Sequence, residues 1–217
     1  MTKDWQQWHR YYDTPRSSLV QRLNAVQREL HRALAEAVTG PDGVVHLTSI
    51  CAGEGRDVLP VLSERESGRP VKALLLELDP VLAQRASTTI DELGLSGVEV
   101  KRVDAGALDT YFDVPPANVL LVCGVFGNIS VDDVRRTIAS LSALLAADGI
   151  VLWTRGAENE DRHRGQEIRD WFAQHGFTEM SFASTEDGGF RVGINRLVAE
   201  PTDVRAAESG ARMFTFA

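Results

Sequence analysis

Cysteine is scarce in this chain of 217 residues, and basic side chains are outnumbered by acidic ones. Its two cysteines, Cys51 and Cys123, are too few for a disulfide framework or a four-thiolate zinc site, and no metal centre is expected. Lys and Arg number 23 against 31 Asp and Glu, a formal charge of −8. A broad nucleic-acid or anionic-membrane surface needs the opposite balance. The longest apolar runs, such as Val119 to Cys123, are strand-sized and far short of a bilayer span. The opening residues, Met-Thr-Lys-Asp-Trp-Gln-Gln-Trp-His-Arg, lack the apolar stretch of a secretory signal. A cytoplasmic location with reduced thiols is therefore expected. No internal repeat is evident. The 43% apolar and 25% charged shares are ordinary for a globular protein. The length suits one α/β domain with an appendage, or two small domains, with a core large enough to enclose a cofactor.

Residues 5 to 38 read as helix, broken near Pro15. Ser17 or Ser18 is a plausible N-cap, and Leu19, Leu23, Val26, Leu30, Leu34 and Val38 form the apolar stripe. After Gly40-Pro41-Asp42-Gly43 the rhythm changes. Strands are expected at 44–50, 71–78, 98–103, 119–123 and 150–154, with helices at about 56–66, 80–93 and 131–147 between them. Apolar strands alternating with helices indicate a parallel sheet covered on both faces. Residues 177–184 and 190–198, separated by Thr185-Glu186-Asp187-Gly188-Gly189, read instead as an antiparallel hairpin. The expected division is a helical cap at 1–40, the α/β domain at 41–200 and a tail at 201–217, mobile after Pro201 until Met213 to Phe216, which docks back.

Ligands of open α/β sheets bind at the carboxyl ends of the strands, where strand order reverses. The loop after the first strand, Cys51-Ala52-Gly53-Glu54-Gly55, lets backbone approach a ligand closely. A dinucleotide fingerprint would place a third glycine at position 58, which is valine, and the Gly-Lys-Ser/Thr ending of a phosphate loop is absent. Alone, the loop is equally well a tight turn. Glu77 ends the second strand, where a carboxylate can accept from both hydroxyls of a ribose; desolvating it there without a partner would be costly. Asp79 reads as the cap of the next helix, with Pro80 at its first position. Asp104, after the third strand, is either an acceptor for an exocyclic adenine amine or a turn acid.

In order and spacing, Gly53-Glu54-Gly55, Glu77 and Asp104 resemble the class I S-adenosylmethionine-dependent methyltransferases, and the closing hairpin resembles that fold's sixth and seventh strands. The resemblance covers about residues 44–198 and implies a Rossmann-like, mostly parallel seven-stranded sheet. Trp5-x-x-Trp8-His9, Cys51 to Asp57 and Cys123-Gly124-Val125-Phe126-Gly127-Asn128-Ile129 resemble more narrowly a group of actinobacterial methyltransferase-like proteins. Two positions depart from the family: Ser49 stands in place of an acid, and Cys51 in place of a glycine.

Carried over by position, the resemblance implies that Cys51, Ala52, Gly53, Glu54 and Gly55 line the methionyl part of S-adenosylmethionine. Glu77 would take the ribose, Asp104 and Ala105 the adenine, and Cys123 and Gly124 would border the sulfonium. Asn128 could orient an acceptor or cap the next helix, and His9 could act as a base or be a surface histidine. Trp5, Trp8 and Tyr12 belong to a packing stripe or to a lid over the cofactor. Phe126 and Arg155 are candidates for acceptor contact, with Arg155 alternatively pairing Glu158, Glu160 or Asp161. Cys51 and Cys123, ending neighbouring strands, could approach each other. The expected activity is methyl transfer to oxygen or nitrogen of a small molecule, by a monomer or homodimer. A non-catalytic binder of S-adenosylmethionine or S-adenosylhomocysteine, and an NAD(P)-binding oxidoreductase, are the alternatives.

Overall fold

The sheet is built from strands whose alternate side chains enter two different cores. A computed structural model describes residues 5–6, 10–14, 17–65, 68–156, 164–185 and 188–216. The strands are β1 (Val45–Ile50), β2 (Val71–Leu76), β3 (Val98–Lys101), β4 (Ala117–Val122), β5 (Leu145–Gly156), β6 (Phe177–Ser184) and β7 (Phe190–Leu197). They form one seven-stranded sheet in the order β3-β2-β1-β4-β5-β7-β6. β1 to β5 run parallel, and β7 is antiparallel to both β5 and β6. The order reverses between β1 and β4, the crevice where open α/β sheets take their ligands.

Five helices cover the two faces among the described residues: α1 (Ser18–Glu36), α2 (Leu59–Ser63), α3 (Pro80–Glu92), α4 (Val131–Ser140) and α5 (Arg164–Gln174). Val119, Leu121, Ile150 and Leu152 pack with α1, α2 and α3 on one face. Their neighbours Leu120, Val122, Val151 and Trp153 pack with α4, α5 and the tail on the other. This period of two is the pleat expressed as burial. Ser17 caps α1 by accepting from Val20 N–H, and Asp79 caps α3 by accepting from Val81 and Leu82 N–H.

The differences from the sequence reading are local. The buried face of α1 is Leu19, Arg22, Val26, Leu30, Ala33 and Leu34, whereas Leu23 is half-buried and Val38 exposed. An arginine thus occupies a core-facing position. The helix expected at 56–66 is a series of turns followed by the five-residue α2. Before α1 there is a short 3-10 turn, Arg10–Asp13; the expected break at Pro15 lies outside the described residues. The tail docks with Met213 and Phe214 buried. Among the described residues, no helix is long and apolar enough to cross a membrane.

Close packing lies beneath the hairpin. Trp153 lies opposite Gly193 in the β5–β7 register, and a Cβ on Gly193 would sit 2.2 Å from the indole. The fully buried indole stacks on Phe172 at 5.8 Å and donates to Asn195 Oδ1 at 2.8 Å. Gly193→Ala is expected to lower stability by about 1–3 kcal/mol, because the overpacked ring has nowhere to retreat; urea denaturation measures it, and an unchanged midpoint would contradict this packing.

Candidate functional site

At the carboxyl ends of β1 to β4 the structure opens a cavity of about 390 Å³, within the size range of small-molecule sites. Cys51 and Ala52 from the β1 loop, Glu77 from the β2 tip, Asp104 and Ala105 from the β3 tip, and Cys123 and Gly124 from the β4 tip all line it. These are seven of the positions expected to hold a cofactor, brought together from four loops.

Glu77 organises the floor. Its Oε2 accepts from Gly53 N–H at 2.7 Å and its Oε1 from Asp79 N–H at 2.8 Å, so one side chain ties the β1 loop to the β2 tip. The residue is buried, and burial raises its pKa above the ordinary glutamate value against the pull of those N–H donors. Gly53, Glu54 and Gly55 form the loop's back rather than the cavity wall. The Glu54 carboxylate points away, held by Arg56 at 2.7 Å and Arg85 at 2.6 Å. Gly55 has φ +75°, and a Cβ there would lie 2.7 Å from Leu59; glycine satisfies both the turn and the packing. Cys51 adopts φ +52°, the left-handed region that disfavours a Cβ by ~1–2 kcal/mol. A glycine would hold this conformation without that cost.

The two thiols are free and enter different cores. Cys51 packs with the core under α4 and α5, and Cys123 belongs to the core under α1. Burial pushes both thiols up, and nearby carboxylates add to the effect: Glu77 and Asp104 beside Cys51, Asp57 beside Cys123.

Arg22 lies at the β4 end of the cavity and is 3% exposed. It pairs with Asp57 at 3.1 Å, donates to the Tyr12 hydroxyl, and reaches Thr154 Oγ1 at 3.4 Å. Thr154 Oγ1 also accepts from Gly124 N–H at 2.9 Å, joining the β4 and β5 tips to α1. The partners Asp57 and Tyr12 hold the guanidinium charged, while burial alone would lower its pKa. The buried Nε of Arg22 has no hydrogen-bond partner among the described residues. Tyr12 lines the cavity as expected, with the guanidinium carbons of Arg22 and Arg56 at 5.5 and 5.4 Å from its ring centre. The sequence alone gives no role in the site to Arg22, Asp57 or Thr154. The available signal was the charge at position 22, three residues after Leu19 and four before Val26, on an apolar stripe.

Three candidates for acceptor or catalytic contact lie elsewhere. Phe126 is fully buried against Trp153 and Phe172, so it is core. Asn128 donates to Gly124 O at 2.7 Å, which folds the β4 loop on itself; the α4 cap is Ser130. Arg155 donates to the Phe126 carbonyl and splints the same loop. Trp8, His9, Glu158, Glu160 and Asp161 lie outside the described residues. Trp5, from the segment expected to pack or to form a lid, and Phe216, from the tail, also line the cavity and meet at 5.1 Å.

Comparison with known proteins follows from this geometry. The protein family described as “Putative methyltransferase” matches residues 15–158. No curated protein matches the sequence. Among solved structures, magnesium protoporphyrin IX methyltransferase of Synechocystis with bound S-adenosylmethionine superposes with a TM-score of 0.66 at 14% identity, covering 90% of this chain and 91% of that one. An O-methyltransferase family protein of Burkholderia thailandensis gives 0.61 at 16% identity, covering 88% and 68%. The N-methyltransferase NodS of Bradyrhizobium japonicum gives 0.56 at 15%, covering 81% and 98%. At such identities these likenesses establish the fold.

Two expectations test the site directly. Because native burial favours the neutral thiols, the unfolded chain ionises first as pH rises. Stability should therefore fall as pH climbs past the ordinary thiol value of about 8.5, and iodoacetamide should label both native thiols far more slowly than unfolded ones. Labelling followed by mass spectrometry checks this; equal rates would contradict the burial. Arg22→Met strands Asp57, which keeps partial contact with solvent, so the cost should lie at the lower end of about 3–5 kcal/mol, read from denaturant midpoints.

Proposed function

The chain belongs to the family described as “Putative methyltransferase”, and on that premise we propose that it transfers the methyl group of S-adenosylmethionine to oxygen or nitrogen of a small molecule, releasing S-adenosylhomocysteine. The observation that carries this reading is Glu77: a buried carboxylate, short-bonded to two loops, that still faces the cavity. A carboxylate has roughly four acceptor sites, so two backbone bonds leave it capacity for a vicinal diol.

The rest of the cavity fits the same molecule. At one end Glu77 and Asp104 offer acceptors to hydroxyls and an amine. At the other end Arg22 and Asp57 offer opposite charges to a carboxylate and an ammonium. The bound cofactor supplies a methyl carbon already activated by positive sulfur. What falls to the chain is alignment and exclusion of water, and positioning accounts for ~7–11 kcal/mol of a barrier. Cys51 and Ala52 support the methionyl part, Ala105 the adenine, and Cys123 and Gly124 border the acceptor side. Tyr12, Trp5 and Phe216 close the cavity from above. His9 is the proposed base where an acceptor needs one, and Trp8 a proposed part of the cover. The acidic balance favours a small acceptor over nucleic acid. In this reading residues 1–40 act as the cap, 41–200 hold the cofactor and 201–217 complete it.

A dinucleotide reading fits less well. A pyrophosphate sits on a helix N-terminus directly after the glycine turn, whereas here turns continue through Val58 and α2 is five residues long.

Isothermal titration should show micromolar binding of S-adenosylmethionine and S-adenosylhomocysteine but not of NAD(P). Glu77→Gln should weaken both by ~1–3 kcal/mol through lost charge-assisted hydrogen bonds. Acidification should weaken binding at a pH above that of an ordinary glutamate, about 4.3, because burial raises the Glu77 pKa and protonation removes an acceptor. Methyl-labelled cofactor should pass label into small molecules of a cell extract. Binding without transfer would support the non-catalytic reading, and no binding would overturn both.

A further inference from the structure

Asp104 is reached by a residue far away in sequence. Its Oδ1 accepts from Gly106 N–H at 2.9 Å, and its Oδ2 accepts from Arg212 Nη2 at 2.7 Å. We propose that Arg212 is a positioning residue that fixes the Asp104 carboxylate and thereby sets the site's preference for an amino-substituted purine over an oxo-substituted one. The proposal rests on the S-adenosylmethionine reading, and extends it from the strand tips to the carboxyl-terminal tail.

The tail is anchored along this loop. Leu108 N–H donates to Ala211 O at 2.9 Å and Met213 N–H to Gly106 O at 2.8 Å, with Ala107 and Arg212 in an antiparallel bridge. Met213 and Phe214 are buried beyond it, and Phe216 bridges to Ile129 and lines the cavity. Arg212 is itself steadied by the Phe214 carbonyl at 3.3 Å. A Cβ on Gly106 would lie 2.5 Å from Phe214 O and 3.2 Å from Asp104 Oδ1. The tail therefore lies against the Asp104 loop with no room for a side chain between them.

A carboxylate held at both oxygens keeps one orientation, and its oxygens only accept. Opposite a purine amine it meets a donor; opposite a purine carbonyl it meets another acceptor, which the site rejects. Arg212 and Asp104 are each 41% exposed, and an ion pair so exposed adds little to stability. Without it Asp104 is free to turn toward solvent, and the discrimination relaxes while the fold stands.

Titration calorimetry of S-adenosylhomocysteine and its hypoxanthine counterpart, S-inosylhomocysteine, tests this on the full chain with thermal melts alongside. The wild type should prefer the adenine ligand by at least about tenfold, on the order of one charge-assisted hydrogen bond. Arg212→Gln and Gly106→Ala should each reduce that preference severalfold, and Arg212→Lys should restore part of it, with Arg212→Gln leaving the melting temperature unchanged. Equal preference in wild type, Arg212→Gln and Gly106→Ala, or a wild type that does not discriminate, would overturn this proposal alone. A wild type that binds neither ligand would overturn the cofactor reading and this proposal with it.

Discussion

A buried carboxylate at the end of an apolar strand governs the architecture of the cavity. Leu74, Leu75 and Leu76 carry the chain through the sheet, and Glu77 follows, buried at the strand's end. An ionised group there is tolerable only with donors around it, and the donors are backbone N–H groups of two separate loops. The bonds to Gly53 and Asp79 therefore do two things at once. They offset the desolvation of the acid, and they fix the distance between the β1 loop and the β2 tip. Ala52 N–H, bonded to Leu76 O at 3.0 Å, continues the strand pairing into the same junction. Cys51 holds its left-handed backbone within this frame.

The opposite end of the cavity solves a similar problem with a cation. Arg22 projects from α1 into a region walled by the tips of β4 and β5, and Asp57, Tyr12 and Thr154 surround its guanidinium. Such a group specifies how α1 docks, because no rotated or shifted helix would bring its charge to Asp57. α1 is consequently a structural layer of the sheet domain. The cavity runs between an acid that recruits donors and a base that recruits acceptors, and that asymmetry gives a bound molecule a direction.

The elements with strong periodicity were legible from sequence. The hairpin strands fall at Phe177–Ser184 and Phe190–Leu197, because alternation bounded by a glycine-rich turn leaves little choice. Glu77, Asp104 and the glycine loop could be placed because each follows an apolar strand directly. Side-chain direction was not legible. Glu54 sits in the middle of the loop, yet two arginines draw it outward; Asn128 and Arg155 spend their donors on carbonyls of their own rim. Phe126, flanked by glycines, looked like a contact residue and is a core ring. Contacts across long separations were equally hidden, since neither Arg22 with Thr154 nor Arg212 with Asp104 leaves any local trace in the chain. The interruption of an apolar helical stripe by one arginine was the readable exception.

The reversal of strand direction at β7 has an evolutionary corollary. Arg155 and Gly156 at the end of β5 pair with Arg191 and Phe190 at the start of β7, so the turn between β6 and β7 rises on the same rim as the loops after β4 and β5. None of the residues proposed to grip the adenosyl group belongs to that turn. Insertions or exchanges there can remodel what approaches from the side while the nucleoside seat is inherited intact, which makes the hairpin the natural place to splice new chemistry onto an old scaffold.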